Sequence, residues 1–151
     1  MGYTHYWYRP EKLDKETFAK TIEDCKKVCD SISVAIVKEW NIFENPIFNS
    51  KQIRFNGTGD DGHETFYIPI SLKKPDYQKE FEENENLVFA FCKTAYKPYD
   101  LNVTACLIIF KHYLKDNFLV LSDGESKDWD KARELCQKIL GYGQDFKLDK
   151  D

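Results

Sequence analysis

A stripe of apolar residues near the N-terminus constrains the fold more than any other feature of this sequence. The stripe recurs in steps of four and three residues, through Phe18, Ile22, Cys25, Cys29 and Ile32. That spacing places all of its members on one face of a helix. Asp14 precedes the stripe and is a residue type that favours the N-cap position. We therefore predict an amphipathic helix that buries this face against a sheet.

The two cysteines of this stripe are predicted to be buried core residues. The chain has five cysteines, and no second cysteine pair or nearby histidine completes a zinc site with Cys25 and Cys29. An odd count without a signal-peptide pattern is typical of free thiols in a reducing compartment, so we expect a cytoplasmic protein. The sequence has neither the ligand spacing of a metal site nor a common cofactor motif, and we expect no metal and no cofactor.

The other elements are predicted from short alternating segments and two further helical faces. Strands are expected at Tyr3–Arg9, Ser33–Val37, Gln52–Phe55, Glu64–Ile68, Leu87–Cys92 and Phe118–Leu121. Asp100 stands where the N-cap of a second helix belongs, and Ser126 is the expected cap of a third helix that ends at Gly141. The resulting order is β-α-β-β-β-β-α-β-α. It predicts a single α+β domain, residues 1–141, with about three helices packed on a mixed, mostly antiparallel sheet. Residues 142–151 are predicted to form a charged C-terminal tail.

Composition narrows the classes of partner. The chain has 151 residues, and Lys plus Arg total 22 against 26 Asp plus Glu, which gives a net charge of −4. A general nucleic-acid binder is usually basic, so we do not expect that function. No apolar run approaches the roughly 18 residues of a membrane span, so no membrane association is expected. Aromatic residues make up 15%, which indicates either a dense core or a surface that stacks planar ligands.

Polar residues gather in three loops that adjoin predicted strands. The first loop holds Asn56, Gly57 and Glu64, and the last holds Ser122 and Asp123. In sheets with helical connections, loops of this kind meet and line pockets. Two lysines before a helix N-terminus also indicate an anion site, although a neighbouring aspartate would compete with the anion. The middle loop, which joins a strand to a helix, carries these residues: Lys93, Thr94, Lys97, Tyr99 and Asp100.

Each of these residues also has a purely structural alternative. Asp100 can be a helix cap, and Asn56-Gly57 and Asp123-Gly124 can be simple turns. His5 shares a strand face with aromatic residues, so it can fill an aromatic cluster instead of a site.

Five motifs together resemble an uncharacterised family of small proteins from bacterial, phage and other viral genomes. They are GYTHYW at Gly2–Trp7, FNG at Phe55–Gly57, GHETF at Gly62–Phe66, CKTAYKPYD at Cys92–Asp100 and SDG at Ser122–Gly124. The resemblance spans roughly Gly2 to Gly141. It implies a soluble intracellular protein and brings no established activity with it. Members of that family usually have Arg where this chain has Tyr96, a difference that weakens the predicted anion site.

We predict a soluble protein that binds a small nucleotide-like or other phosphate- or sugar-bearing metabolite. The ligand would stack on Trp7, Tyr6 or Tyr99, while lysines hold its anionic groups and carboxylates accept its hydrogen bonds. If the gene is viral, the protein would sequester a host signalling nucleotide. The predicted ligand-binding residues are His5, Trp7, Asn56, Gly57, Glu64, Lys93, Thr94, Lys97, Tyr99, Asp100, Ser122 and Asp123.

Two other classes of function stay open at this point. One is a hydrolase that cleaves a glycosidic or phosphoester bond through the carboxylates of Glu64, Asp100 and Asp123, with His5 as acid or base. The other is a protein–protein interaction module that uses an aromatic surface. The sequence specifies neither a ligand, nor a reaction, nor an oligomeric state.

Overall fold

The computed structural model has an α+β fold, whose elements follow the predicted order with one added strand. It describes residues 3–80 and 86–150. The helices are α1 (Lys15–Ser31), α2 (Asp100–Leu114) and α3 (Asp130–Leu140). Short 3-10 turns occupy Gly59–Asp61, Asp76–Glu80, Lys115–Asn117 and Ser126–Trp129. The strands are β1 (Thr4–Pro10), β2 (Ile36–Val37), β3 (Ile47–Phe48), β4 (Gln52–Gly57), β5 (Phe66–Pro69), β6 (Leu87–Lys93) and β7 (Leu119–Ser122). The added strand is β3.

The first sheet places β1 between β6 and β7, and both pairings are antiparallel. Successive side chains of a strand point to opposite faces of the sheet. His5, Trp7 and Arg9 are buried on the inner face, which is turned to the core. Tyr6 and Tyr8 point the other way and are partly exposed. The alternation in β1 therefore defines an inner face and an outer face for the whole sheet.

A second sheet is built around β4, which pairs antiparallel with β2, β3 and β5. The fold thus has two sheets where one mixed sheet was expected, and every pairing found in the described residues is antiparallel. The buried side chain of Arg9 joins the two sheets. Its guanidinium leaves the end of β1 and donates hydrogen bonds to the carbonyls of Pro69 and Ile70.

Helix α2 lies at the centre of the core, with α1 and α3 packed against it. Its residues 102–110 are all buried. The predicted helix at the N-terminal stripe is confirmed, because Asp14 accepts a hydrogen bond from the backbone N–H of Thr17 and the apolar face is inside. Ile32, at the end of the stripe, is only partly buried. The five cysteines are buried free thiols, as expected: Cys25, Cys29, Cys92, Cys106 and Cys136.

The ends of the other two helices differ from the predictions. Helix α2 begins at Asp100 itself, and Tyr99 occupies the cap position without a side-chain bond. The Asp100 carboxylate is therefore not a helix cap and is used elsewhere. Helix α3 begins at Asp130, whereas Ser126, its expected cap, starts a separate 3-10 turn. Gly141 ends α3 in the left-handed conformation with φ 83°, as predicted.

The C-terminal residues up to 150 pack on the domain, although a charged tail was expected. Phe146 is buried and stacks on Trp129. Asp149 donates its backbone N–H to the carbonyl of Val120 in β7, and its carboxylate accepts the N–H of the same residue. Among the described residues, no helix is long and apolar enough to cross a membrane.

Candidate functional site

One end of the first sheet gathers most of the predicted site residues. Because β1 runs antiparallel to both neighbours, its first residues lie beside the last residues of β6 and β7. The register pairs Thr4 with Lys93 and His5 with Ser122. The loops that follow β6 and β7 therefore leave the sheet at the same end. These loops carry Thr94, Lys97, Tyr99, Asp100 and Asp123.

A buried histidine connects the two loops at this end of the sheet. The Nε2 atom of His5 lies 2.7 Å from Oδ1 of Asp100, and its Nδ1 atom lies 2.8 Å from Oγ of Ser122. The hydroxyl of Thr94 donates to the same Asp100 oxygen at 2.5 Å. The side chain of His5 has no exposed surface, whereas 21% of the Asp100 side chain is exposed. The structure thus joins four predicted site residues into one hydrogen-bonded network.

With His5 in its neutral form and Asp100 as a carboxylate, the donors and acceptors of this network fit one arrangement of protons. A carboxylate has no proton to donate, so Asp100 accepts from both Thr94 and the Nε2–H of His5. In the neutral imidazole the other nitrogen, Nδ1, is then an acceptor, and Ser122 donates its hydroxyl proton to it. The backbone N–H of Gly124 donates to the same hydroxyl oxygen at 2.9 Å. The serine hydroxyl is therefore directed toward a histidine nitrogen that carries a lone pair.

The loop after β6 has a strained backbone beside this network. Ala95 and Tyr96 both have positive φ angles, 53° and 62°. Such conformations cost non-glycine residues on the order of 1–3 kcal/mol each, and they cluster at functional sites. The loop is held in place because the carbonyl of Tyr3 accepts the N–H groups of Thr94 and Ala95.

Two tyrosine rings cover the network on this side. The exposed ring of Tyr96 stacks on Tyr3 at a centroid distance of 3.8 Å, and Tyr3 meets His5 edge-on at 4.9 Å. Burial raises the pKa of the Tyr3 phenol, and the negative charges of Asp100 and Asp128 raise it further. The site therefore disfavours a phenolate at Tyr3, and this ring stays neutral.

The remaining polar residues fasten the loop between β4 and β5 to the end of β6. The Glu64 carboxylate accepts the backbone N–H of Lys93 at 2.7 Å, and Tyr99 donates its hydroxyl to the Glu64 carbonyl at 2.5 Å. Asn56 is buried and makes four hydrogen bonds, among them one to the His63 carbonyl and one from the His63 N–H. These groups position the loop, and the atoms that make these hydrogen bonds are already paired within the protein.

Gly57 has a packing role in the same loop. A Cβ atom at this position would lie 2.2 Å from the backbone carbonyl oxygen of Asp61. Only glycine allows the two ends of the 3-10 turn to approach so closely. The predicted binding residues Asn56 and Gly57 thus shape the loop and leave no side-chain group free for a ligand.

Asp123 lies at the same end but on the outer face of the sheet. Its carboxylate accepts the backbone N–H of Thr4 at 3.1 Å and the hydroxyl of Tyr6 at 3.0 Å. The three carboxylates of the predicted hydrolase therefore have separate partners. Asp100 binds His5, Glu64 binds the backbone of Lys93, and no contact pairs any two of these carboxylates within the described residues. Each of the three carboxylates is thus engaged by a different part of the site.

The outer face of the first sheet forms an open aromatic surface. The register places Phe91 and Leu121 on either side of Tyr6, and Phe89 and Leu119 on either side of Tyr8. Phe89 lies 5.2 Å from the Tyr8 ring and 6.0 Å from both the Tyr6 and Phe91 rings. Phe91 is 54% exposed. We call Tyr6, Tyr8, Phe89 and Phe91 the aromatic surface.

Two of the predicted stacking residues do not contribute to a binding surface. Trp7 is 1% exposed and packs on Phe66, and Tyr99 is fully buried. Tyr6 is the predicted stacking residue that the structure places on the open face. Lys97 is partly exposed, and its backbone N–H donates to the Thr94 carbonyl.

Sequence reasoning missed Tyr8, Phe89 and Phe91 as surface residues. The sequence did contain a signal for this surface, because aromatic residues occupy both faces of β1. A strand that is buried on one side needs aromatic residues on that face alone. Which face is covered depends on how the sheet packs, and the sequence pattern does not determine this.

Within residues 3–80 and 86–150, no group of three His, Cys, Asp or Glu side chains is arranged to hold a metal ion. Comparison with models of protein families, with curated proteins and with solved structures finds no match.

Proposed function

We propose that the protein binds a planar, anionic small molecule, such as a nucleotide, on the outer face of the first sheet. The observation that carries this proposal is the aromatic surface, which is open to solvent at Phe91. Stacking of a base on an aromatic side chain contributes about 1–3 kcal/mol and works for every base. A groove on this face is lined by Tyr6, Tyr8, Phe89, Leu121, Ser122 and Asp123.

Charged groups lie at one end of the aromatic surface. Lys93 and Asp123 flank Thr4 in adjacent strands, so they share one row across the sheet. Two strand spacings separate them, which is about 10 Å. A lysine ammonium holds a phosphate, and a carboxylate accepts hydrogen bonds from hydroxyl or amino groups. The row therefore suits a ligand with an anion at one end and donor groups at the other.

On each edge of the sheet, a residue from another segment already pairs with the backbone of one strand residue. Gln78 pairs with the backbone N–H and carbonyl of Phe89 in the edge strand β6. In the opposite edge strand β7, the carbonyl of Val120 accepts the backbone N–H of Asp149, and the N–H of Val120 donates to the Asp149 carboxylate. Side chains thus occupy edge groups that an added strand would use. This favours a ligand that lies on the face over a peptide that extends the sheet.

Calorimetric titration tests the proposal with AMP, GMP, CMP and UMP and with the four matching nucleosides. We expect the Lys93→Ala variant to bind a nucleotide about 10- to 100-fold more weakly, because a charge-assisted hydrogen bond contributes about 1.5–3 kcal/mol. Its affinity for the uncharged nucleoside should not change. The Phe91→Ala variant should lose affinity for both, because both stack on the ring.

Matched controls come from exposed residues far from this face. Lys131→Ala removes an exposed lysine of α3, and Phe43→Ala removes an exposed phenylalanine between β2 and β3. Neither should alter binding. The proposal is wrong if none of the eight compounds binds at millimolar concentration, or if Lys93→Ala weakens nucleoside and nucleotide equally. Failure of all eight compounds together with a concentration-dependent mass would favour protein docking on the same surface.

A further inference from the structure

We propose that Ser122 is a nucleophile for acyl transfer, with His5 as its general base and Asp100 as the residue that positions the histidine. Two contacts support the assignment. Ser122 Oγ lies 2.8 Å from His5 Nδ1, and His5 Nε2 lies 2.7 Å from Asp100 Oδ1. A nucleophile within hydrogen-bonding reach of a base, which is itself oriented by a third group, is the arrangement that activates a serine hydroxyl.

The proton positions favour this role over a purely structural one. Asp100 can only accept, and it accepts from Thr94 as well as from His5. The lone pair of His5 therefore lies on Nδ1 and faces the serine hydroxyl. The N–H of Gly124 donates to the serine oxygen and so helps to hold the hydroxyl beside His5.

Ser122 also lies next to the protein surface. It is partly exposed and ends β7, just before the turn that leads to α3, whereas His5 is fully buried behind it. The turn needs Gly124, because a Cβ atom there would lie 2.4 Å from the hydroxyl oxygen of Tyr3. Gly124 thus lets the Tyr3 hydroxyl pack against this turn, and the same end of the sheet contains the strained Ala95–Tyr96 segment.

The local charge selects an uncharged acyl group over a phosphoryl group. Asp123 follows the serine directly, and Asp100 and Asp128 both act on the adjacent ring of Tyr3. Several carboxylates near the nucleophile repel a phosphate dianion. A carboxylic ester carries no charge at the reacting carbon, and we assign this chemical class to the site.

The chemical steps balance without a metal or an oxidant. Ser122 Oγ forms a bond to the ester carbonyl carbon, its proton moves to His5 Nδ1, and the carbonyl π electrons move to the oxygen. Collapse of this intermediate breaks the bond to the alcohol oxygen, which takes the proton from His5 Nδ1 and leaves as the alcohol. Water then attacks the acyl-serine in the same manner, which releases the carboxylic acid and restores the hydroxyl.

A fluorophosphonate probe tests the inference by mass spectrometry of the intact protein and of its peptides. We expect one covalent adduct on Ser122, with loss of fluoride, and none in Ser122→Ala. Asp100→Asn should lower the limiting rate of labelling by about 10²–10⁴-fold, which is what a misoriented base costs, with little change in the probe concentration that gives half of that rate. Ser50→Ala removes an exposed serine elsewhere and should label as the parent protein does.

Thermal melting of each variant separates loss of chemistry from loss of fold. Peptide mapping of the parent protein decides the question by itself if Ser122→Ala does not fold. Absence of an adduct on the folded parent, or an adduct on another residue, overturns the inference. Equal labelling rates for Asp100→Asn and the parent overturn the role of Asp100. Nucleotide binding on the aromatic surface does not depend on any of these results.

Discussion

Replacement of Asp100 by alanine tests the central network at the level of stability. The carboxylate accepts from two side chains that are buried, His5 and Thr94. Alanine keeps the helix but removes the oxygen that accepts both hydrogen bonds. His5 has no exposed surface, so its Nε2–H then lacks both a protein partner and free access to solvent.

The size of the effect follows from these contacts. A buried donor that loses its partner costs about 1–3 kcal/mol. The Thr94 hydroxyl adds a smaller amount, because it can rotate toward water that enters where the carboxylate was 21% exposed. We expect Asp100→Ala to lower the free energy of unfolding by about 2–4 kcal/mol. Asp100→Asn should cost about half as much, because a neutral oxygen accepts hydrogen bonds about half as strong.

Urea unfolding, followed by tryptophan fluorescence, measures these changes by linear extrapolation. The matched control is Asp116→Ala, an exposed aspartate just after α2, which should stay within about 0.5 kcal/mol of the parent. A double-mutant cycle with Thr94→Val should show a coupling energy of about 1 kcal/mol. If Asp100→Ala is as stable as the control variant, the network does not hold His5 in place and our reasoning is wrong.

Two further predictions concern the core. Arg9→Met should lower the free energy of unfolding by about 2–4 kcal/mol in the same assay, because the carbonyls of Pro69 and Pro10 lose their donor. Surface substitutions change this free energy by up to about 0.5 kcal/mol, so a smaller change than that would contradict the prediction. The five thiols should resist Ellman's reagent at pH 8 until the protein unfolds. Burial raises the pKa of Cys136 to about 12 and raises the pKa of Cys25, Cys92 and Cys106. The hydrogen bond with Cys106 and burial raise the pKa of Cys29, so all five thiols remain protonated. Rapid reaction of the native protein would show that the core opens.

Local patterns in the sequence were sufficient for most of the elements, although not for β3 or for the starts of α2 and α3. The stripe from Phe18 to Cys29 predicts α1, Asp14 predicts its start, and Gly141 predicts the end of α3, and the structure confirms all three. Each of these signals involves residues within a few turns of one another. A helical periodicity or a cap depends only on residues that are neighbours in the chain. The sequence alone therefore contains the information needed to predict it.

The network and the binding surface depended on the tertiary structure. His5 reaches Asp100 and Ser122 across 95 and 117 positions of sequence, and no local pattern pairs them. Asp100 looked like a cap because aspartate suits that position, but a buried histidine competes for the same carboxylate. The sequence could group the polar loops, but it could not decide which of their groups bind one another.

The sequence by itself determined that β1 has two aromatic faces, while only the tertiary structure decided which one is open. A strand with period two presents the same pattern whichever side the helices cover. Here the core covers Trp7, which packs on Phe66 of β5, and leaves Tyr6 and Tyr8 toward solvent. The physical reason is that burial belongs to the packing of distant elements, whereas alternation belongs to the backbone of a single strand.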